Sequence, residues 1–123
     1  DVPHGYVLSK RLSEHADSIS VATNIRLDDF RCRWLVVDEV FIPLAESLLI
    51  SHFKPLWNIV VEGFGNHPPG RGRIGGKKPT WDVLHPGRSW ANQLGDACTY
   101  ETVLGVVKSH LDTVQIPPGG ASG

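Results

Sequence analysis

One carboxylate, Glu46, lies in a stretch that is otherwise almost entirely apolar, DEVFIPLAESLLISHFKPLWN, from Asp38 to Asn58. An ionised carboxylate in apolar surroundings is costly unless it meets a cation, a metal ion or several hydrogen-bond donors. Glu46 is therefore predicted to face a polar cleft. The alternative is a solvated Glu on the free side of an amphipathic helix, where most helical Glu residues lie.

Arg11 and His15 are spaced to reach one ligand. They are four residues apart, so they lie one turn above each other on a helix predicted between Leu8 and Ile19. An Arg would supply a fixed positive charge beside a phosphate, and a His can carry a proton near neutral pH. Basic helix faces are common, so the alternative is an ordinary solvated surface.

The stretch from Phe64 to Arg88 is rich in glycine and basic residues. It holds six glycines and five basic residues against one acid, Asp82, and is predicted to be a long basic loop. Glycine allows close approach of the backbone to a phosphate, and Arg can pair with a phosphate or a guanine edge. The loop is therefore predicted to contact DNA, the alternative being a solvated flexible loop. The spacing in GRGRIGGKK is not that of a P-loop.

Composition limits the remaining possibilities. A length of 123 residues suits one domain, and the net charge of -1 gives no global sign of nucleic-acid binding. No apolar run is long enough to span a membrane, and two cysteines suit small buried thiols in a reducing cytoplasm. The absence of methionine suggests that the sequence has lost its beginning. The histidines and cysteines show no paired zinc-ligand spacing.

The element pattern predicts an α+β fold. Phe30 to Val37 alternates like a strand, and Leu56 to Val61 is predicted to be a second extended segment that contains Asn58. Between them, a helix should begin at Pro43, end near Lys54, and present an apolar face. The other predicted elements are a short strand or turn from Trp81 to Leu84, one helical turn from Ser89 to Leu94, and a helix from Tyr100 to about Val114, capped by Thr99. We expect one domain over residues 1–116 and a disordered tail over 117–123.

LSKRLSEH and AESLLISHFKPLWN, in that order, resemble the GIY-YIG nuclease superfamily. With the tract from Gly63 to Ala91, they look like its type II restriction endonuclease branch. The resemblance implies a small GIY-YIG-like domain with a short antiparallel sheet flanked by helices. The family's two tyrosine-bearing strands have no counterpart, since Tyr6 does not lie in either motif, so we expect an N-terminally truncated fragment.

The resemblance also implies an activity, the hydrolysis of double-stranded DNA at a short, G·C-rich palindrome. The enzyme would act as a homodimer, in the cytoplasm of a prokaryote, as part of a restriction-modification system. Glu46 would hold one Mg²⁺, with Mn²⁺ as a possible substitute, and Arg11, His15 and Asn58 would complete the catalytic set. The alternatives are a catalytically inactive DNA-binding fragment or module, and a domain whose basic loop contacts an acidic protein. The residues expected to bind DNA are Asn66, His67, Arg71, Arg73, Lys77, Lys78, His85 and Arg88.

Overall fold

The computed structural model describes residues 5–70 and 76–114. These residues form six α-helices: α1 (Tyr6–Val21), α2 (Ile42–Phe53), α3 (Leu56–Ile59), α4 (Thr80–Leu84), α5 (Ser89–Asn92) and α6 (Tyr100–Thr113). Two short 3₁₀ turns, Leu27–Asp29 and Glu39–Phe41, lie between α1 and α2. The predicted tail, 117–123, lies outside the described residues.

The predicted α+β fold with an antiparallel sheet is wrong. Within residues 5–70 and 76–114 no strand forms, and the β-type pairing is a single isolated parallel bridge between Lys77 and Gly95. The segment expected to be a strand, Phe30 to Val37, has no regular structure, and none of the described residues supplies a backbone hydrogen-bond partner to residues 31–37. A strand is stable only with a neighbour that pairs its backbone groups, so strand-like alternation alone does not produce a sheet.

The second expected extended segment, Leu56 to Val61, begins with helix α3. Its first turn closes on Pro55, whose carbonyl accepts hydrogen bonds from the N–H groups of Asn58 and Ile59, both at 3.0 Å. Proline suits the start of a helix because its missing N–H would have no partner there. The expected strand or turn from Trp81 is likewise helical, as part of α4. Both predictions failed because β-propensity mainly reports packing on a sheet, and the described chain has none.

The three longer helices were predicted, with small errors in their bounds. Helix α1 is longer than expected by two residues at each end and begins after Gly5, whose φ of 93° favours glycine. Helix α2 has Pro43 in its first turn and ends at Phe53, before Pro55. Helix α6 is capped by Thr99, whose side-chain oxygen accepts a hydrogen bond from the N–H of Thr102 at 3.2 Å.

The core lies where α4 packs against α6. Trp81 is fully buried at its centre, with Val103 and Val107 from α6. Leu56, Trp57, Val60 and Phe64 pack partly buried against the same cluster. Helix α3 and the turn after it therefore connect the core to the surface on which the predicted catalytic residues lie.

Helix α2 is much less buried than its sequence predicts. Leu44, Leu48, Leu49 and Phe53, expected to form its apolar packing face, are between 48% and 64% exposed. The preceding segment is also exposed, including Val36 and Cys32, which was predicted to be buried. At its end, α2 is linked to α6 by a 3.0 Å hydrogen bond from His110 Nε2 to the Lys54 carbonyl. None of the helices in the described ranges has the length and hydropathy of a membrane span.

Candidate active site

The four residues predicted to be catalytic line one open cleft of about 910 Å³. Arg11 and His15 reach it from α1, Glu46 from α2 and Asn58 from α3. Arg11 and Asn58 are 47 positions apart in the sequence, so only the tertiary structure can bring the four side chains to one surface. The cleft thus combines an arginine, a histidine, a carboxylate and an amide around a space large enough for a ligand.

Arg11 is held in place by two hydrogen bonds and remains partly exposed. Its Nη1 forms an ion pair with Glu14 Oε2 at 3.1 Å, one turn along α1, and its Nη2 donates to the Gly65 carbonyl at 3.3 Å. The ion pair is weakened by solvent because both side chains are at least one-third exposed. The two contacts therefore orient the guanidinium at the cleft wall, and its exposure leaves positive charge available to a ligand.

His15 stacks on Phe64, with ring centroids 4.5 Å apart and an angle of 17° between the ring planes. Burial lowers the pKa of His15 below its usual 6.5, the positive charge of Arg11 lowers this pKa further, and Glu14 opposes both effects. Lowering of the pKa favours the neutral imidazole near pH 7. A neutral imidazole can accept a proton, which is the state required of a general base.

Glu46 is exposed on α2 and forms no ion pair with a basic side chain among the described residues. It does not lie in apolar surroundings, because the leucines around it on α2 are also exposed. Glu46 nevertheless lines the cleft, although the cost of an apolar environment is not what places it there. The same cleft contains a second carboxylate, Glu62, which the sequence did not single out.

The oxygen donors of the cleft suit a hard divalent cation. Glu46 and Glu62 offer carboxylates and Asn58 an amide oxygen, and Mg²⁺ is usually bound by one or two carboxylates with its other positions taken by water and phosphate oxygens. In the part of the chain that is described, no group of three or more His, Cys, Asp or Glu residues could hold a metal ion. The described residues therefore do not surround a metal ion with protein ligands alone. They are compatible with a Mg²⁺ site in which one or two carboxylates bind the ion and water and substrate phosphate oxygens supply the other ligands.

His85, predicted to contact DNA, is 9% exposed and lines the cleft. Its Nδ1 lies 2.9 Å from Asn24 Oδ1, and the Asn24 amide nitrogen donates to the Leu84 carbonyl at 2.7 Å. Because the amide nitrogen is used in this way, Asn24 presents its oxygen, and His85 Nδ1 carries the proton. Burial lowers the pKa of His85 below 6.5.

The other residues predicted to bind DNA differ in their surroundings. Asn66 and His67 are exposed and line a neighbouring cavity of about 380 Å³, and Lys77 is also exposed. Lys78 forms an ion pair with Asp96 at 3.0 Å. Arg71 and Arg73 lie outside the described residues.

Arg88 is 5% exposed and pairs with Asp82. Folding brings Asp96, which lies outside the loop, to Lys78 and makes Asp82 the partner of Arg88. The positive charge available to a ligand is therefore smaller than the sequence suggests.

Aromatic residues form much of the cleft wall and were not predicted as part of the site. Phe30, Trp57 and Phe64 line it, and the Trp57 ring packs against both Phe30 and Phe64, with centroid distances of 5.5 and 4.5 Å. No pattern in the sequence distinguishes these side chains from core residues. Neither tyrosine of the chain, Tyr6 or Tyr100, is among the described residues that line the cleft.

Comparison with protein families identifies the chain over most of its length. The family model described as the Eco29kI GIY-YIG domain matches residues 1–111. No curated protein matches the chain. The family match covers all four residues placed at the cleft and extends to α6.

Proposed function

Because the chain belongs to the Eco29kI GIY-YIG domain family, which is a family of restriction-endonuclease domains, we propose that it hydrolyses phosphodiester bonds of double-stranded DNA in a magnesium-dependent reaction. The observation that carries the proposal is the meeting of Arg11, His15, Glu46 and Asn58 at one cleft. The substrate is a short duplex site, which we take to be a G·C-rich palindrome. A two-fold target calls for two copies of the chain.

Each residue has a task that its surroundings allow. Arg11, fixed by Glu14 and Gly65, stabilises the negative charge that develops on the phosphate in the transition state. His15, whose lowered pKa favours the neutral ring, accepts the proton of the attacking water. Asn58, which also lines the cleft, orients the substrate by hydrogen bonding.

Glu46 would hold Mg²⁺, with Mn²⁺ as a substitute. The exposure of Glu46 to the cleft and the absence of an ion pair with any described basic side chain leave its carboxylate available for this role. A bound Mg²⁺ supplies a Lewis acid that offsets negative charge on the reacting phosphate. The contribution of the protein is then to keep the carboxylate, the guanidinium and the imidazole on one surface.

The test is Glu46→Gln, which keeps the size of the side chain and removes its charge. Because a bound metal ion is worth several kcal/mol of transition-state charge stabilisation, we expect cleavage of duplex DNA in Mg²⁺ to fall by roughly 10²–10³-fold or more, while binding to the duplex persists. Gel-based cleavage and fluorescence-anisotropy binding would be measured on the same preparation. Glu101→Gln is the matched control, because Glu101 is an exposed Glu in the first turn of α6 and should leave cleavage unchanged. Cleavage by Glu46→Gln at the wild-type rate would rule out the assignment of Glu46.

A catalytically silent DNA-binding module is the second candidate. The observation that favours it is the absence of a tyrosine from the described residues of the cleft, since the superfamily motif that the sequence resembles includes two tyrosines. Wild-type protein that binds duplex DNA but gives no nicks or cuts in Mg²⁺ or Mn²⁺ would support this candidate against the nuclease.

A further inference from the structure

Arg88 is a charged residue in the protein interior, only 5% exposed, at the edge of the cavity of about 380 Å³ that Asn66 and His67 also line. Its Nε donates to Asp82 Oδ1 at 2.7 Å, and its Nη2 donates to Asp82 Oδ2. The faces of the guanidinium lie over two rings, with Cζ 4.6 Å from the centroid of Trp81 and 4.7 Å from that of Trp90. A buried ion pair of this kind is retained only when its remaining donors are also satisfied.

The remaining donors of Arg88 bind main-chain carbonyls of the turn formed by residues 63–66. Nη2 donates to the Gly63 carbonyl at 2.9 Å, and Nη1 donates to the Phe64 and Asn66 carbonyls at 3.0 and 3.3 Å. All five N–H groups of the guanidinium are thus used. Within the turn, one backbone hydrogen bond runs from the Asn66 N–H to the Gly63 carbonyl. The turn therefore depends on Arg88 for most of its polar contacts.

This turn is also the part of the chain that holds Arg11 and His15. The Gly65 carbonyl accepts the hydrogen bond from Arg11, and the Phe64 ring stacks on His15. A Cβ at position 65 would lie 2.5 Å from Arg11 Nη2, so a larger residue there would displace the guanidinium. A shift of the turn would move the partners of both residues at once.

We propose that Arg88 is a positioning residue, which holds the turn at residues 63–66 so that Arg11 and His15 keep their places in the cleft, and that it does not contact DNA. The proposal rests on the proposed function and replaces the expected DNA contact of Arg88. Moving the guanidinium to a phosphate would leave the Asp82 carboxylate, which is 2% exposed, without its partner. Because Asp82 already offsets its charge, Arg88 adds little net attraction for the duplex.

The decisive variant is Arg88→Lys, which keeps the charge and a possible pair with Asp82 but lacks the planar array of five donors. Arg26→Lys is the matched control, because Arg26 is exposed and forms only a surface ion pair with Asp28. In the free protein, the ring-proton resonances of His15 should lose the upfield shift caused by stacking on Phe64. Cleavage at saturating duplex should fall by about a hundredfold, as expected for a small displacement of catalytic groups. The dissociation constant for the duplex and its salt dependence should not change.

The opposite pattern would overturn the proposal. A weaker duplex complex with a shallower salt dependence, at unchanged saturating cleavage and unchanged His15 resonances, would make Arg88 a phosphate contact. Because the His15 resonances are measured without DNA, they test positioning even if the wild-type protein proves not to be a nuclease.

A second measurement applies if Arg88→Lys does not fold. In the wild-type protein, the Arg88 Nε–H resonance should exchange slowly with water and stay in place when a short G·C-rich duplex is added. A shift of this resonance as the duplex saturates the protein would contradict the proposal. The exposed amide resonance of Lys77, in the basic loop, provides an internal control for binding.

Discussion

At the scale of single residues, the pair formed by Asn24 and His85 shows how burial changes an ordinary side chain. The two residues are 61 positions apart, and the hydrogen bond between them fixes the proton of His85 on Nδ1. The rings of Trp57 and Trp81 pack against the imidazole, with centroid distances of 5.5 and 5.2 Å. Protonation of the second nitrogen would place a charge against these apolar rings, so the neutral form is favoured.

The stability of the protein should therefore depend on pH through His85. Its pKa is lower in the folded protein than the ordinary 6.5, so the unfolded chain binds a proton at a higher pH than the folded one. The contribution of the neutral ring to the free energy of unfolding is then fully present above pH 6.5 and is lost as the pH falls through the lowered pKa. His15 acts in the same direction.

Urea unfolding at several pH values on either side of 6.5 would test this expectation. We expect His85→Gln to reduce the loss of stability on acidification, and His15→Gln to reduce it separately. The double variant should show the smallest loss. An equal pH dependence in wild type and His85→Gln would contradict the assignment of a lowered pKa to His85.

At the scale of elements, α2 carries Glu46 but has few packing contacts to hold it. Its end is defined by Lys54, the one non-glycine residue with positive φ in the described chain, at φ 47° and ψ 54°. The N–H of Lys54 bonds to the Ile50 carbonyl at 2.8 Å, and the Lys54 carbonyl accepts from His110. This left-handed ending turns the chain into Pro55 and α3, so that Glu46 and Asn58 face the same cleft.

Replacing Lys54 by glycine should stabilise the end of α2. Glycine avoids the steric cost of a Cβ in the left-handed conformation, roughly 1–2 kcal/mol, which outweighs its larger loss of conformational entropy on folding. We therefore expect a gain of about 0.5–1 kcal/mol in the free energy of unfolding. Lys54→Ala is the matched control, because alanine removes the charge but keeps the Cβ. Chemical denaturation of both variants would be compared with wild type. Equal stability of the glycine and alanine variants would show that the left-handed backbone at residue 54 is not strained.

At the scale of the whole molecule, charge is distributed less simply than the sequence suggests. The chain has a net charge of -1, and the basic loop was expected to provide a local excess of positive charge. Folding pairs Lys78 with Asp96 and Arg88 with Asp82, while Lys77 stays exposed. Lys77 is therefore the residue among the described lysines of this loop that is most available to a phosphate.

Duplex binding should reflect this difference. Neutralising a phosphate releases counterions, so loss of one phosphate contact lowers the slope of log K against log salt by about 1. We expect this change for Lys77→Ala and a smaller one for Lys78→Ala, because Lys78 already has a carboxylate partner. Binding would be measured by fluorescence anisotropy over a range of salt concentrations. A larger effect of Lys78→Ala than of Lys77→Ala would contradict this ranking.

The sequence by itself determined the features that depend on near neighbours. Helical periodicity and local signals such as Pro43 and Thr99 predicted α1, α2 and α6, because capping and side-chain stacking act within a few residues. The order and spacing of Arg11, His15, Glu46 and Asn58 also indicated the family that the family model then matched. The expected sheet failed because strand pairing is a long-range interaction, and the described chain gives the segment from Phe30 no partner.

Only the tertiary structure decided which polar side chains are available and which are used internally. Arg88 and Lys77 have the same charge in the sequence, yet one is buried against Asp82 and the other is exposed. Likewise, no local sequence pattern predicts that Glu62 and the aromatic residues line the cleft, or that Asn24 pairs with His85. Burial and ion pairing depend on residues that lie far apart along the chain, so only folding determines them.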